Sequence, residues 1–105
     1  MLRFEGPFCV SESAKIGRNV RIGRNTIIHD HVEIGDDSVI CENCIIGEPG
    51  ARSYVEDDYR NPPTVIGRGS LIRSGSIIYS GSSFGEGFRT GNLVFLSGQI
   101  PLDPG

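Results

Sequence analysis

Apolar residues recur at every sixth position along most of the chain. When the first position of the six-residue unit is placed at Val10, all eleven first positions up to Phe84 are apolar, in a chain that is 37% apolar overall. A helix would not keep this stripe on one face, because it has 3.6 residues per turn, whereas six residues keep phase with the two-residue period of a strand. The pattern therefore predicts short β-strands. The first positions are Val10, Ile16, Ile22, Ile28, Ile34, Ile40, Ile46, Ile66, Ile72, Ile78 and Phe84.

The other positions of the unit predict a turn and a corner. Glycine often occupies the second position, and pairs such as Asp36-Asp37 follow it, which favours a turn after each strand. The fifth position is mostly small or β-branched, so we expect it to face inward near a corner. Repeated hexapeptides are typical of a parallel β-solenoid. Three units per triangular coil would stack Val10 on Ile28 and Ile46, Ile16 on Ile34, and Ile22 on Ile40.

One insertion interrupts the repeat after Ile46. The next first position, Ile66, lies 20 residues further on, which leaves fourteen extra residues. Pro49-Gly50, Pro62-Pro63 and an acidic run in this segment are typical of an exposed loop. We therefore expect a loop at about residues 48–65 that protrudes without disturbing the phase of the repeat. Loops of this length in compact domains are more often functional than accidental.

Charge and composition exclude two classes of partner. The net charge is −3, which does not favour nucleic acid or an anionic membrane surface. The sequence has neither an apolar stretch of membrane-spanning length nor the pattern of a signal peptide. We therefore expect a cytoplasmic protein that binds neither nucleic acid nor membranes.

Three cysteines and two histidines are the candidate metal or redox residues. Cys41 and Cys44 have CxxC spacing, but a zinc site would need two further ligands. We favour the interpretation that the cysteines fill core and turn positions, since free cysteine behaves as a small hydrophobic residue. We expect His29 and His31 to be solvated turn residues. The sequence therefore predicts no metal site.

The segment NPPTVIGRGSLIRSGSIIYSGSSFGEGFRTG, residues 61–91, resembles the left-handed β-helix, hexapeptide-repeat acyltransferases, and the resemblance covers about residues 10–91. It implies an all-β fold, a left-handed parallel β-helix with one protruding loop, over residues 1–91. It also implies a homotrimer with active sites between neighbouring subunits. The implied reaction is acyl transfer, often from acetyl-CoA, to a hydroxyl or amine of a sugar, nucleotide sugar or similar small molecule. Acetyl-CoA or another acyl-CoA would be a cosubstrate, with no tightly bound cofactor.

The resemblance also identifies candidate site residues. In the family, a Thr-Gly pair is usually followed by the histidine that acts as general base. Here Thr90-Gly91 is followed by Asn92, which cannot accept a proton at neutral pH. We therefore predict no catalytic residue at this position. The predicted substrate contacts are Arg73, Tyr79 and Arg89 near the Thr-Gly pair, and Tyr54 and Tyr59 on the loop.

The amino-acid sequence of residues 92–105, NLVFLSGQIPLDPG, does not continue the hexapeptide pattern. They are similar to an early strand of the reactive-intermediate (imine/enamine) deaminases, but they include none of that family's later active-site residues, so no activity is inferred from them. Two interpretations are open. The tail is a cap in which Leu93, Phe95 and Ile100 cover the last core layer, or it is a segment foreign to the repeat.

Two functions remain from the sequence. The first is an acyltransferase-like protein, a fragment that lacks the catalytic histidine and the CoA groove. The second is a non-catalytic trimeric β-solenoid that acts as a scaffold or binding module.

Overall fold

A computed structural model describes the backbone of residues 7–100 and the side chains of residues 7–98. These residues form thirteen short β-strands and one 3₁₀ helix, Ala51–Tyr54. The strands are β1 Cys9–Val10, β2 Lys15–Ile16, β3 Arg21–Ile22, β4 Ile27–Ile28, β5 Val32–Ile34, β6 Val39–Ile40, β7 Ile45–Glu48, β8 Thr64–Ile66, β9 Leu71–Ile72, β10 Ile77–Tyr79, β11 Ser83–Phe84, β12 Phe95–Leu96 and β13 Gln99–Ile100.

The strands form three parallel sheets. Sheet A has the order β1-β4-β7-β10-β12, sheet B has β2-β5-β8-β11-β13, and sheet C has β3-β6-β9. In the first coils, successive strands therefore lie on successive faces, and the chain returns to the same face after three strands. This arrangement confirms the predicted all-β parallel β-helix with three hexapeptides per coil. As predicted, Val10 pairs with Ile28 and Ile28 with Ile46, Ile16 pairs with Ile34, and Ile22 pairs with Ile40.

First-position side chains form the core. From Ile28 onward to Phe84 each first-position side chain is at most 2% exposed, and burial of one isoleucine contributes roughly 1.5–3 kcal/mol. Val10 and Ile16, in the first coil, are 38% and 37% exposed.

Small residues occupy the fifth position of the unit for two reasons: the corner has little space, and a hydroxyl there bonds to backbone groups. Thr26 Oγ1 donates to the Cys41 carbonyl (2.8 Å) and accepts from the Cys44 amide (3.2 Å). Ser38 Oγ accepts from the Ser70 amide (3.1 Å) of the next coil. Inward-facing hydroxyls therefore satisfy backbone groups at the corners, which buried polar groups require.

The protruding loop occupies residues 49–63, between β7 and β8, close to the predicted bounds. Ile34 pairs with Ile66 across it, whereas uninterrupted coils pair residues 18 apart. The extra spacing equals the fourteen inserted residues, so the phase is preserved as predicted. The described part of the chain contains no helix of the length and hydrophobicity that a membrane span requires.

The β-helix continues past Gly91 in the structure, whereas the amino-acid sequence of residues 92–105 predicts that the repeat ends there. Phe95–Leu96 pairs in parallel with Ile77–Ile78, the same 18-residue spacing as in the first coils, and Leu96 packs against the core. The preceding turn has Leu93 at φ 54°, the left-handed conformation that Asn19 and its equivalents adopt in earlier turns. Leucine is uncommon in this conformation, so the sequence does not predict a turn here.

The cap residues expected in the tail have a different arrangement. Leu93 is 72% exposed and Phe95 is 61% exposed, so neither covers the core. Leu96, which lies in the first position of its unit, is the tail residue that packs on the core. The expectation for Ile100 concerns a side chain outside the described residues.

Candidate functional site

The loop leaves the β-helix at the corner between sheets A and B. One coil earlier, this corner consists of the turn that joins β4 to β5, which carries residues 29–31. One coil later it begins at Tyr79, the end of β10, which pairs with Glu48 at the end of β7. We name residues 29–31, Glu48 and the loop 49–63 the loop corner.

Gly47 makes the departure of the loop possible. It has φ +82°, and a Cβ on it would lie 2.5 Å from Val32 Cγ2. Only glycine fits this left-handed conformation and this close approach without displacing the core. The Glu48 side chain that follows is thereby placed at the base of the loop.

The Glu48 side chain contacts two ring side chains, His29 and Tyr54. Its Oε2 lies 3.9 Å from His29 Nε2, with the two side chains 22% and 32% exposed. The Tyr54 hydroxyl makes a long hydrogen bond of 3.5 Å to Glu48 Oε1, and Tyr79 is the strand neighbour of Glu48. His29 is therefore a half-buried partner of a carboxylate, which differs from the solvated turn residue that the sequence predicts.

Asn61 attaches the end of the loop to the corner. Its Nδ2 donates to the carbonyls of Gly47 (3.0 Å) and Asp30 (3.2 Å). Its Oδ1 accepts a hydrogen bond of 2.9 Å from the Tyr59 hydroxyl, which in turn accepts one from the Gly50 amide. Asn61 is only 9% exposed, and its amide joins two coils and the loop in one hydrogen-bonded network.

Replacing Asn61 with alanine is expected to release the loop while the β-helix remains folded. The substitution leaves the buried Gly47 carbonyl and the part-buried Asp30 carbonyl without this donor and removes the acceptor of Tyr59, at a local cost of about 1–3 kcal/mol. Hydrogen exchange would show faster exchange at amides 50–59 and unchanged exchange in β5 and β8. Equal acceleration in all coils would contradict the assignment of Asn61 to the loop. Asn43→Gly is the control, because it removes an exposed amide from a turn on another corner and glycine accepts the left-handed backbone (φ 59°) at this position.

A cavity of about 270 Å³ lies beneath the loop. Most of its lining residues have polar side chains, and within the described part of the chain Arg60 forms no ion pair and the His31 ring forms no hydrogen bond. The lining includes His29, His31, Ser53, Tyr59, Arg60 and Asn61. On the loop itself, Arg52 pairs with Glu56 and lowers the pKa of that carboxyl through a hydrogen bond.

The predicted tyrosines lie at the loop corner. Tyr54 and Tyr79 are exposed; the Tyr54 hydroxyl donates to Glu48, and Tyr79 is the strand neighbour of Glu48. Tyr59 has both hydrogen-bonding roles of its hydroxyl occupied by Gly50 and Asn61, so it holds the loop in shape.

The two predicted arginines lie on a different face. Arg73 follows β9 of sheet C, where its amide donates to Thr90 Oγ1 (2.9 Å). Arg89 forms a bridge with Leu71 of the same sheet. Both side chains are exposed. The structure thus divides the five predicted substrate contacts between the loop corner and sheet C, and their role in binding stays a prediction.

Asn92 lies in the exposed turn that follows Thr90-Gly91. The amide of the next residue donates to the Ser74 carbonyl (2.9 Å), which fixes this turn above the turn of the previous coil. His29 lies at the corner between sheets A and B, whereas Asn92 follows the face of sheet C. Within one subunit, His29 therefore does not stand in for a base at the Asn92 position.

The CxxC cysteines have the features of packing residues. Cys44 is fully buried, and burial raises its pKa; burial also raises the pKa of Cys41. Cys44 Sγ donates to the Arg73 carbonyl (3.3 Å). In residues 7–98, no group of three or more His, Cys, Asp or Glu side chains is arranged to hold a metal ion.

Comparison with known proteins identifies the repeat. The family described as "Bacterial transferase hexapeptide (six repeats)" matches residues 13–48. An acyl-[acyl-carrier-protein]–UDP-N-acetylglucosamine O-acyltransferase of Campylobacter lari is 39% identical over 89 residues, which cover 83% of this chain and 33% of that protein. The protein of the same name from Thermodesulfovibrio yellowstonii is 34% identical over 102 residues, or 92% of this chain and 38% of its own length.

A third relative, the bifunctional protein GlmU of Alkaliphilus oremlandii, is 38% identical over 93 residues, or 89% of this chain and 17% of its own length. The chain thus spans between about a sixth and two fifths of the length of these relatives. The alignment with the Thermodesulfovibrio protein leaves only about eight residues outside and so extends beyond Asn92. No solved structure matches the chain at a significant level.

Proposed function

Since the chain belongs to the hexapeptide-repeat acyltransferase family, we propose that it binds a nucleotide-sugar acceptor for acyl transfer from a thioester donor. The observation that supports this best is the similarity to two UDP-N-acetylglucosamine O-acyltransferases over 83% and 92% of the chain. Their names specify acyl carrier protein as donor, so the donor class proposed here is an acyl thioester, on acyl carrier protein or on CoA. A cytoplasmic location is part of this proposal.

Because Asn92 replaces a general base, we expect acceptor binding with slow turnover. An amide cannot take the proton that the acceptor hydroxyl or amine loses when it attacks a thioester. General base catalysis typically contributes 10²–10⁴-fold, so turnover by this chain should be lower by about that factor than in a protein with histidine there.

Acceptor binding and turnover should be measured separately on the full chain. UDP-N-acetylglucosamine binding is followed by calorimetry, and transfer from acetyl-CoA and from acylated acyl carrier protein by mass spectrometry of the sugar product. Saturable binding with slow or undetectable transfer supports the proposal. Absence of both supports the alternative of a non-catalytic scaffold. Fast transfer would contradict the role given to the Asn92 position.

We also propose that the protein is a homotrimer assembled through sheet A. One row of outward-facing residues of this sheet, which follow one another in register, is entirely apolar: Cys9, Ile27, Ile45, Ile77 and Phe95. Ile27 is 37% exposed and Phe95 is 61% exposed, so the stripe lies at the surface. The equivalent row on sheet B begins with Lys15 and Glu33. A continuous apolar row on one face of a soluble protein marks an interaction surface.

Ile45→Glu is therefore expected to convert the trimer to monomers, because it places a carboxylate in the middle of an apolar interface. Val65→Glu is the matched control, since it changes the outward position of the same coil on sheet B. Sedimentation equilibrium should report about one third of the mass for the first variant and the parent mass for the second. A monomeric parent chain, or equal effects of both changes, would contradict assembly through sheet A.

A further inference from the structure

The outer face of sheet C carries positive charge in a chain whose net charge is −3. Its outward-facing residues follow one another in register from coil to coil, in the order Arg21, Val39, Leu71 and Arg89. Both arginines are exposed, and the two apolar side chains between them are partly exposed. The row therefore has cationic ends and an apolar middle.

Two further arginines lie at one edge of this face. Arg24 and Arg73 are in the turns that lead from sheet C to sheet A, and both are exposed. Within the described part of these turns, Glu42 is the one acidic residue. Sheet C and this edge thus carry four arginines against one carboxylate.

Most of these arginines are not neutralised by ion pairs. Among the residues that the structure describes, Arg24, Arg73 and Arg89 form none. At the opposite edge of the same sheet, by contrast, Arg68 lies 3.9 Å from a carboxylate oxygen of Glu86. Sheet C and its edge toward sheet A therefore present uncompensated positive charge, whose field attracts an acidic partner.

The length and composition of the row fit an α-helix. Arg21 and Arg89 lie three coils apart, which is about 14 Å at a strand spacing of about 4.8 Å. At a rise of about 1.5 Å per residue, this length equals about nine or ten residues of a helix. An amphipathic helix with acidic residues near both ends of this span and apolar residues between them complements the row in charge and hydrophobicity. Nucleic acid or anionic headgroups would engage the arginines alone and leave Val39 and Leu71 without an apolar partner.

We propose that sheet C is a docking surface for an acidic amphipathic helix of a partner protein. Its arginines bind carboxylates of that helix, and Val39 and Leu71 pack against the apolar side chains between them. The partner is the carrier protein that delivers the acyl thioester, so this surface rests on the proposed function and specifies its donor side. Arg73 and Arg89, which the sequence predicts as substrate contacts, then serve the donor rather than the acceptor.

The test is a titration of the full chain with acyl carrier protein, followed by amide chemical shifts. Saturable shifts are expected at residues 39–43, 71–74 and 88–92, and the affinity should fall as salt rises from about 50 to about 300 mM, because exposed charges are screened. Arg73→Glu and Arg89→Glu should each raise Kd about three- to tenfold, since each replaces an attraction by a repulsion. Arg68→Glu is the matched control, because it reverses an exposed arginine at the other edge of sheet C, and it should bind as the parent does.

Val39→Asp tests the apolar half of the surface. It places a carboxylate in the middle of the row, opposite an acidic helix, and is expected to raise Kd about tenfold. Val39→Ile keeps the position apolar and should retain the parental Kd. A parental Kd in Val39→Asp would show that the helix does not lie along this row.

The docking surface is refuted by the absence of saturable shifts on sheet C, by a parental Kd in both arginine variants, or by an equal loss of affinity in Arg68→Glu. Vesicles containing phosphatidylglycerol and a DNA duplex are titrated as other polyanions, and the same shifts at comparable affinity with either would also refute docking of an acidic helix. The proposed function fails differently. Binding of UDP-N-acetylglucosamine without binding of carrier protein refutes the docking surface alone, and carrier protein binding at sheet C without binding of UDP-N-acetylglucosamine refutes the acceptor proposal alone.

Discussion

Replacing Ile40 with aspartate is expected to unfold the whole described β-helix. Ile40 is 0% exposed and lies between Ile22 and Ile72 in the middle of its stack. The change removes roughly 1.5–3 kcal/mol of apolar burial and places an unpaired carboxylate in the core, which costs several kcal/mol more. The total approaches the 5–15 kcal/mol that stabilises a typical domain. Because each coil is stabilised by its neighbours, the loss spreads along the stack.

The adjacent residue provides the control. Val39 lies on the same strand but faces outward, so Val39→Asp leaves the core intact. Far-UV circular dichroism with urea titration should show a cooperative transition for the parent and for Val39→Asp, and none for Ile40→Asp. A urea midpoint for Ile40→Asp close to that of the parent would disprove the assignment of first positions to a single continuous core.

Gly35→Ala is expected to destabilise the β-helix strongly by adding a single methyl group. A Cβ at this position would lie 2.4 Å from the Arg68 amide nitrogen and 2.7 Å from its Cα. Because the obstacle is backbone, held by the hydrogen bonds from Gly35 to Ile66 and from Gly67 to Phe84, it cannot rotate away as a side chain would. Overpacking typically costs 1–3 kcal/mol, and we expect about 3 kcal/mol or more here.

Gly69→Asn tests the second reason for glycine in this fold, a left-handed backbone, apart from the close approach of neighbouring backbone that Gly35 accommodates. Gly69 has φ +66° and open space around its Cβ position, and asparagine already occupies this turn position at Asn19, Asn25 and Asn43. We therefore expect a change in unfolding free energy within about 1 kcal/mol, since asparagine tolerates the left-handed region. A loss of stability in Gly69→Asn as large as that in Gly35→Ala would contradict the expectation that this turn position accepts asparagine.

Much of the fold was predictable because a six-residue spacing along the chain also specifies which residues of different coils stack on one another. The spacing of isoleucines predicted which residues share a stack, and the difference between 20 and six predicted how many residues the loop adds. Both follow from the period of a strand, so no tertiary information was needed. The end of the repeat was less accessible, since Phe88 and Val94 replace small residues in the fifth position and Leu93 adopts a conformation usually left to asparagine or glycine.

The candidate site was predicted only in part. Tyr54, Tyr59 and Tyr79 lie at the loop corner as a group, while Arg73 and Arg89 lie along sheet C. Glu48 and Asn61 were missed, because a glutamate at the start of a loop and an asparagine before two prolines look like ordinary turn residues. The histidine at position 29 was assigned to solvent for the same reason. A signal did exist: both ends of an insertion must return to one corner, so polar residues flanking it are brought together.

The sequence by itself determined the coil: its period, its core residues, the length of the insertion and the absence of histidine after Thr90-Gly91. These depend on the order of residues along one strand and one turn, which neighbouring positions specify. Only the tertiary structure decided that His29 lies beside Glu48 and that Asn61 holds the end of the loop. Those contacts join residues from different coils, and their distances depend on how the loop folds back onto the corner, which no periodic pattern encodes.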